Sequence, residues 1–152
     1  MDTKKIIIVV LAVVVVAAIV CGFLFMQNTV KVGDATFSLP EGYACVANGK
    51  YANLTNNHNE YIVLSCNESG NINEVMDNYV ENNARNNLTL TLSNLTVGQH
   101  TVQKSVMDNN TEIVHYWFDF NGKVYEIYTR SANSNTDDVI TELINSAKTA
   151  MI

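Results

Sequence analysis

The sequence predicts an α+β domain in which two helices pack around an antiparallel sheet of about six strands, behind an N-terminal transmembrane helix. Three observations lead to this fold class. Residues 6–26 contain no charged side chain. Most of the later chain alternates apolar and polar residues with the two-residue period of strands, whereas two stretches show the 3.6-residue period of helices. Because the helical stretches are isolated among the strands, we expect one sheet with helices on its faces.

The uncharged segment at residues 6–26 is long enough to cross a bilayer. As a helix rising roughly 1.5 Å per residue, it would reach about 31 Å. Lys4 and Lys5 precede it directly and only Lys31 follows closely, so the positive-inside tendency places the N-terminus in the cytoplasm. We therefore predict a single-pass cell-membrane protein with a cytoplasmic tail (1–5), an anchor in the lipid bilayer (6–26), a linker (27–33) and an extracytoplasmic domain (34–152).

A cleaved signal peptide is the alternative interpretation of this segment, since a charged start and an apolar stretch are also its features. The apolar run is longer than a usual signal core, and Ala17 and Ala18 lie inside it instead of after it. Lipidation of Cys21 is disfavoured because Val20 stands where lipoprotein sites carry Gly, Ala or Ser. An uncleaved anchor is the favoured hypothesis.

The elements of the domain follow from local patterns. The segment at residues 36–43 starts the fold, and Pro40 ends its strand before Gly42. A stripe from Ile72 to Ala84 predicts a helix capped by Asn71, and a second stripe from Val139 to Met151 predicts a helix that begins near Thr136. Strands are predicted at residues 43–54, 60–67, 88–93, 100–107, 112–120 and 123–130.

Asn121 and Gly122 form the dipeptide favoured by a two-residue type I′ hairpin. This turn sets the register of the last two strands and sends large apolar side chains to both faces. A sheet open to water on one side does not need this, so we expect both faces to be covered. The predicted pairs are Phe118 with Tyr125, Tyr116 with Ile127, Val114 with Thr129, Trp117 with Glu126, His115 with Tyr128, and Ile113 with Arg130.

Two cysteines lie outside the anchor, and an exported location permits a disulfide between them. If residues 43–54 and 60–67 form one hairpin around a turn at residues 55–59, then Cys45 and Cys66 face each other at nearly equal distances from the turn. Such pairs come within disulfide range. We predict a Cys45–Cys66 disulfide, with two free thiols as the alternative.

Charge and asparagine content bear on partners and modification. Residues 27–152 hold seven Lys and Arg against fourteen Asp and Glu, and this negative balance disfavours nucleic acid as a partner. The chain has twenty-one Asn residues, and five of them start an Asn-X-Ser/Thr triplet. In a host that glycosylates, each of the five is a candidate acceptor, although biased codon usage also explains the enrichment. The candidates are Asn53, Asn67, Asn87, Asn94 and Asn109.

No catalytic or metal-binding pattern is found in the sequence. His58, His100 and His115 lie far apart, without the spacing typical of zinc or iron sites. There is no glycine-rich phosphate loop and no GxSxG elbow, so we predict neither a cofactor nor enzymatic activity. The aromatic hairpin offers a candidate binding patch, formed by Trp117, His115 and Tyr128.

Two short strings resemble PsbP-like domains. Residues 37–43 read Phe-Ser-Leu-Pro-Glu-Gly-Tyr, which is similar to the strand-then-Pro-x-Gly-aromatic start of that family, and residues 144–148 are similar to its closing helix. The resemblance covers residues 34–152. It implies an α+β sandwich and a binding or accessory role, and it implies no catalytic residues. The Asn-rich, anchored form also resembles uncharacterised surface proteins of methanogenic archaea.

The predicted function is therefore a non-catalytic, membrane-anchored binding or accessory module. The sequence does not identify its partner, and an envelope or membrane-proximal protein is the candidate. Two alternatives remain. A pilin-like structural subunit would also have an apolar N-terminal helix before a sheet, although no Gly precedes Ile6 for processing. An enzyme with a dispersed site is the other alternative.

Overall fold

The structure, a computed structural model, describes residues 14–15, 28–68 and 70–150. In the described chain after residue 28 it has ten strands and two helices. Their bounds are β1 Thr29–Val32, β2 Ala35–Ser38, β3 Tyr43–Asn48, β4 Tyr51–Asn56, β5 Tyr61–Asn67, α1 Ile72–Arg85, β6 Leu90–Val97, β7 His100–Met107, β8 Asn110–Phe120, β9 Lys123–Thr129, α2 Ser134–Ser146 and β10 Lys148–Thr149.

The strands form two sheets in which each described pairing is antiparallel. A seven-stranded sheet has the order β3-β4-β5-β9-β8-β7-β6, and a three-stranded sheet has the order β1-β2-β10. The predicted α+β class with two helices is confirmed. The prediction of about six strands was too low, because it missed the small sheet and one hairpin.

The hydrophobic core lies between the two sheets. One face of the seven-stranded sheet, called here the inner face, packs against β1, β2 and α2 through buried side chains such as Phe37, Leu64, Tyr125 and Ile144. The opposite face, the outer face, is covered over β8 by α1, whose Tyr79 ring lies 5.2 Å from the ring of Trp117. Both faces of the central hairpin are thus covered, as predicted.

The register predicted from the Asn-Gly turn is confirmed for five of the six pairs, including Phe118 with Tyr125 and Trp117 with Glu126. The sixth, Ile113 with Arg130, does not form, because β9 ends at Thr129 and the ladder stops at Val114 with Thr129. Asn121 and Gly122 have φ values of 51° and 72°. Positive φ at both central residues is what a type I′ turn requires.

The segment predicted as the linker, residues 27–33, instead contains strand β1. Val30 and Val32 alternate with polar residues and are buried in the core, so this short strand belongs to the domain. The predicted anchor at residues 6–26 lies outside the described residues except for Val14 and Val15. Among the residues that the structure describes, no helix is both long and apolar enough to cross a membrane.

The predicted Cys45–Cys66 disulfide is absent, and both thiols are free. The reason is a second two-residue hairpin, in which Asn48 pairs with Tyr51 and the turn is formed by Gly49 and Lys50. Gly49, with a φ of 60°, splits the predicted strand at 43–54 into β3 and β4. Cys45 is therefore two strands from β5, where it aligns with Ile62 through Leu54. Cys66 lies four residues further along β5, which places its Cα roughly 16 Å from that of Cys45.

An asparagine side chain caps the N-terminus of each of the two helices. Asn71 caps α1 as predicted, accepting from the backbone N–H of Asn73 and Glu74 at 3.1 and 3.4 Å. Helix α2 begins at Ser134, earlier than the predicted start near Thr136, because Asn133 and Thr136 form a reciprocal capping box.

A carboxylate and a tyrosine hydroxyl attach the start of α2 to the large sheet. Glu60 accepts hydrogen bonds from four neutral donors, which lie at the start of β3, at the end of β4, and at the N-cap and first turn of α2. On the inner face, the hydroxyl of Tyr116 donates to Asp137 of α2, and burial raises the pKa of this hydroxyl. The donors to Glu60 are Tyr43 (3.1 Å), Asn56 (2.6 Å), Asn133 (2.7 Å) and Asn135 (3.0 Å).

We expect Gly33→Ala to destabilise the domain more than Gly42→Ala. Both glycines have positive φ, 57° and 80°, which costs a non-glycine residue about 1 kcal/mol. At Gly33 an added Cβ would also lie 2.7 Å from the Sγ of Cys66, whereas nothing lies within 4 Å at Gly42. The clash should add about 1–3 kcal/mol. Urea unfolding of the purified full chain measures both losses; equal losses would contradict the close packing at Gly33.

We expect Glu60→Gln to lower the free energy of unfolding at pH 7 by roughly 1 kcal/mol, and by less as the solution becomes acidic. Hydrogen bonds, that from Asn133 first, hold the pKa of Glu60 below its usual value. The stabilisation is therefore complete above the unfolded-state pKa of about 4.3 and is lost as the pH falls through the lower folded-state value.

Urea unfolding between pH 3 and pH 7 checks this dependence. Glu112→Gln, which removes the same charge from an exposed position, is the control and should show a smaller change at pH 7. A difference between Glu60→Gln and the unsubstituted chain that persists at pH 3 would contradict the role of the ionised carboxylate.

Candidate binding surface

About half of the outer face of the large sheet is left uncovered by α1. This open half, as we call it, lies on β3, β4, β5 and the adjoining side of β9. Successive side chains of a strand point to opposite faces of the sheet. Because four residues of β4 and β5 point into the core, the residues that alternate with them point to the outer face; the four are Ala52, Leu54, Ile62 and Leu64. The open half consists of Val46, Tyr51, Asn53, Val63, Ser65, Glu126 and Tyr128.

Two apolar side chains of the open half are exposed to solvent. Val46 is 75% exposed and Tyr51 is 59% exposed. They lie on neighbouring antiparallel strands, where Val46 pairs with Asn53 and Tyr51 pairs with Asn48. The aliphatic and the aromatic side chain are thus diagonal neighbours on one face of the sheet. Val63, which is buried, lies opposite Asn53 on the next strand.

A groove of about 670 Å³ runs across the open half. Its walls combine the rings of Tyr51 and Tyr128 with polar groups that can donate or accept hydrogen bonds. At one end Lys50 and Glu68 form an ion pair of 2.8 Å, and this pair lowers the pKa of Glu68. The remaining lining residues are Asn53, Val63, Ser65, Cys66, Asn67 and Glu126.

An aromatic stack separates the groove from the part of the face covered by α1. His115 lies between the rings of Tyr128 and Trp117, with centroid distances of 5.0 and 5.5 Å. Its Nδ1 lies 2.5 Å from a carboxylate oxygen of Glu126. The groove wall formed by Glu126 and Tyr128 is therefore held by packing and by a hydrogen bond.

The predicted patch of Trp117, His115 and Tyr128 is not a single exposed surface. Trp117 is completely buried, because Tyr79 of α1 lies over its ring. His115 is a partly buried sheet residue, and only Tyr128 of the three reaches the groove. Sequence reasoning missed Val46 and Tyr51, although Gly49 followed by Lys50, a Gly-X dipeptide typical of type II′ hairpin turns, could have revealed their hairpin.

The site carries no arrangement suited to a metal ion. Within the described residues no three His, Cys, Asp or Glu side chains come close enough to hold one. The three histidines remain apart: His58 is in an exposed turn, and His100 packs on the inner face 5.3 Å from the ring of Phe118. The groove can offer hydrogen bonds, ring surface and one ion pair, which are the means of non-covalent recognition.

All five sequon asparagines are exposed. Asn53 and Asn67 line the groove, and Asn94 lies on the outer face of β6, since its neighbour Leu95 packs against the core. Asn87 and Asn109 are in connections between elements. Each side chain is therefore accessible to a modifying enzyme, and a glycan on Asn53 or Asn67 would occupy the groove.

No family model matches the chain, and no curated protein matches it. Among solved structures, the chain is similar to the cyanobacterial PsbP protein CyanoP from Synechocystis sp. PCC 6803. The identity is 12%, the match covers 77% of this chain and 87% of that chain, and the TM-score is 0.48. CyanoP belongs to the family that residues 37–43 resemble, but a likeness at this level identifies neither family nor function.

Proposed function

We propose that this chain is a membrane-anchored, extracytoplasmic binding or accessory module without catalytic activity, and that it binds an envelope or membrane-proximal protein through the open half. Membership of the PsbP-like family and similarity to archaeal surface proteins belong to the same proposal. They rest on the sequence of residues 37–43 and on the Asn-rich, anchored form of the chain.

One observation carries the proposal: Val46 and Tyr51 stay exposed beside a groove on the part of the outer face that α1 does not cover. Scattered single apolar residues need no explanation, but neighbouring ones next to a concave surface are typical of interaction sites. Tyrosine is also enriched at the residues that dominate binding energy.

The shape of the groove favours a macromolecular partner over a small molecule. Small-molecule sites usually enclose most of the surface of their ligand. This groove is a channel on an open sheet face, bordered by exposed side chains, so a small ligand would remain largely in water. An extended segment or a loop of another protein can instead cover the groove and both exposed residues together.

We expect a photo-crosslinking residue placed at Tyr51 of the full chain to capture a defined partner in membranes of the native host. The matched control carries the same residue at Thr141, an exposed position on α2. The same product should weaken at least fivefold when Val46→Asp is added, because a charge would then stand in the apolar contact. Mass spectrometry identifies the product.

Equal capture at Tyr51 and Thr141, or capture that Val46→Asp does not change, would contradict the assignment of the surface. Intact mass of the same preparation tests the remainder of the proposal. A full-length chain supports the anchor. Loss of the first five residues supports the pilin-like alternative instead, and sugar on Asn53 or Asn67 would exclude a protein partner from the groove.

A further inference from the structure

Strand β6 is an edge of the seven-stranded sheet, and the strand itself contains no charged residue, no proline and no bulge. The carboxylate of Asp108, which accepts a hydrogen bond from Thr91, is a charged group beside it in the described chain. Strand β6 pairs with β7 over eight residues in unbroken register, from Leu90 with Met107 to Val97 with His100. Natural edges are generally blocked by a charge, a proline, a bulge or a covering element, because their free backbone groups accept further strands. Seven of the eight residues of β6 are at least partly exposed.

The absence of charge extends beyond β6. Residues 86–99 contain no Asp, Glu, Lys, Arg or Pro, and Leu92 of β6 is 45% exposed. The whole chain has a net charge of −6, so two copies repel each other over most of their surfaces. The side chains of β6 add no charge to this repulsion, and β6 is an edge strand of the described sheet, so its outward backbone groups can pair.

We propose that β6 pairs antiparallel with β6 of a second copy, which joins two seven-stranded sheets into one. The two-fold axis stands perpendicular to the sheet, so two residues that pair across the axis point to the same side of the sheet. Leu92 is on the outer face, since its neighbour Leu95 on the alternate set of positions packs against the core. An axis at Leu92 places it opposite Leu92 of the second copy and covers the most exposed apolar side chain of the strand.

The same symmetry agrees with the position of the N-terminal strand. Strand β1 packs against the inner face, and an axis perpendicular to the sheet keeps both inner faces on one side. Both chains therefore enter the dimer from the same side, as two copies anchored in one membrane must. A ladder of one strand buries less than a standard interface, so we expect weak association that the high local concentration in a membrane supports.

The test is disulfide formation by the full chain with Leu92→Cys, expressed without N-glycosylation and reconstituted into lipid vesicles. Directly opposite residues have Cα atoms about 4.5–5.5 Å apart, which is within disulfide range. The first control is Leu90→Cys. In this register Leu90 faces Asn94, and the two Leu90 Cα atoms lie roughly 13 Å apart. The second control is Val46→Cys on the opposite edge, and the unsubstituted chain reports linkage through the native thiols.

We expect mild oxidation to link Leu92→Cys at least tenfold faster than the other three chains. Similar rates for Leu90→Cys or Val46→Cys, linkage of Leu92→Cys to a different protein, or no linkage would each overturn the proposal. A second measurement is energy transfer between labelled copies in vesicles. Leu92→Lys should reduce it at least fivefold and Val46→Lys should not, whereas equal effects would overturn the pairing through β6.

Discussion

The architecture depends on the hairpin of β8 and β9, which carries large apolar side chains on both faces. Trp117 and Tyr125 are both completely buried, yet they point in opposite directions from the sheet. Neither face of this hairpin can meet water, so the chain must supply a layer on each side. The small sheet and α2 form the inner layer, and α1 is the outer one.

The two layers differ in width, and this difference creates the candidate binding surface. Seven strands spaced about 4.8 Å apart span roughly 29 Å. A single helix is about 10 Å across, so α1 can protect the middle of the outer face and leave its flanks open. On the β3–β5 flank the exposed large apolar residues are Val46 and Tyr51. On the other flank the exposed large apolar residue is Leu92. Surface available for partners thus follows from having one helix over a wide sheet.

Much of this fold is predictable from the sequence because its strongest signals are local. Asn121-Gly122 determines a register that propagates along β8 and β9, and the helical stripe capped by Asn71 locates α1. The errors arise where local and distant information conflict. A single strand at 43–54 requires Asn48 and Gly49, which strands disfavour, to lie in its interior. The turn at Gly49 was missed, and Cys45 was therefore placed opposite Cys66. Strand β1 is too short for its alternation to stand out from a linker.

The candidate surface was less predictable than the fold, since exposure depends on what covers each strand. Tryptophan is a residue type that is common at binding sites, but α1 lies over Trp117. No local pattern of β8 indicates which helix covers which strand. Valine and tyrosine are residue types found in any strand, so Val46 and Tyr51 do not stand out in the sequence. Their exposure follows only from the position of β3 at the edge of the sheet and of α1 over β8.

The hydrogen bonds to Glu60 determine how the junction between the β4–β5 turn and α2 responds to salt. This carboxylate is bound by a phenol and three amides, none of which carries a net charge. Dissolved ions screen the attraction between opposite charges over a distance of about 8 Å at physiological strength, but hydrogen bonds to neutral donors depend on direct contact. The junction between the β4–β5 turn and α2 should therefore hold in concentrated brine, where the ion pair of Lys50 with Glu68 at the groove would weaken.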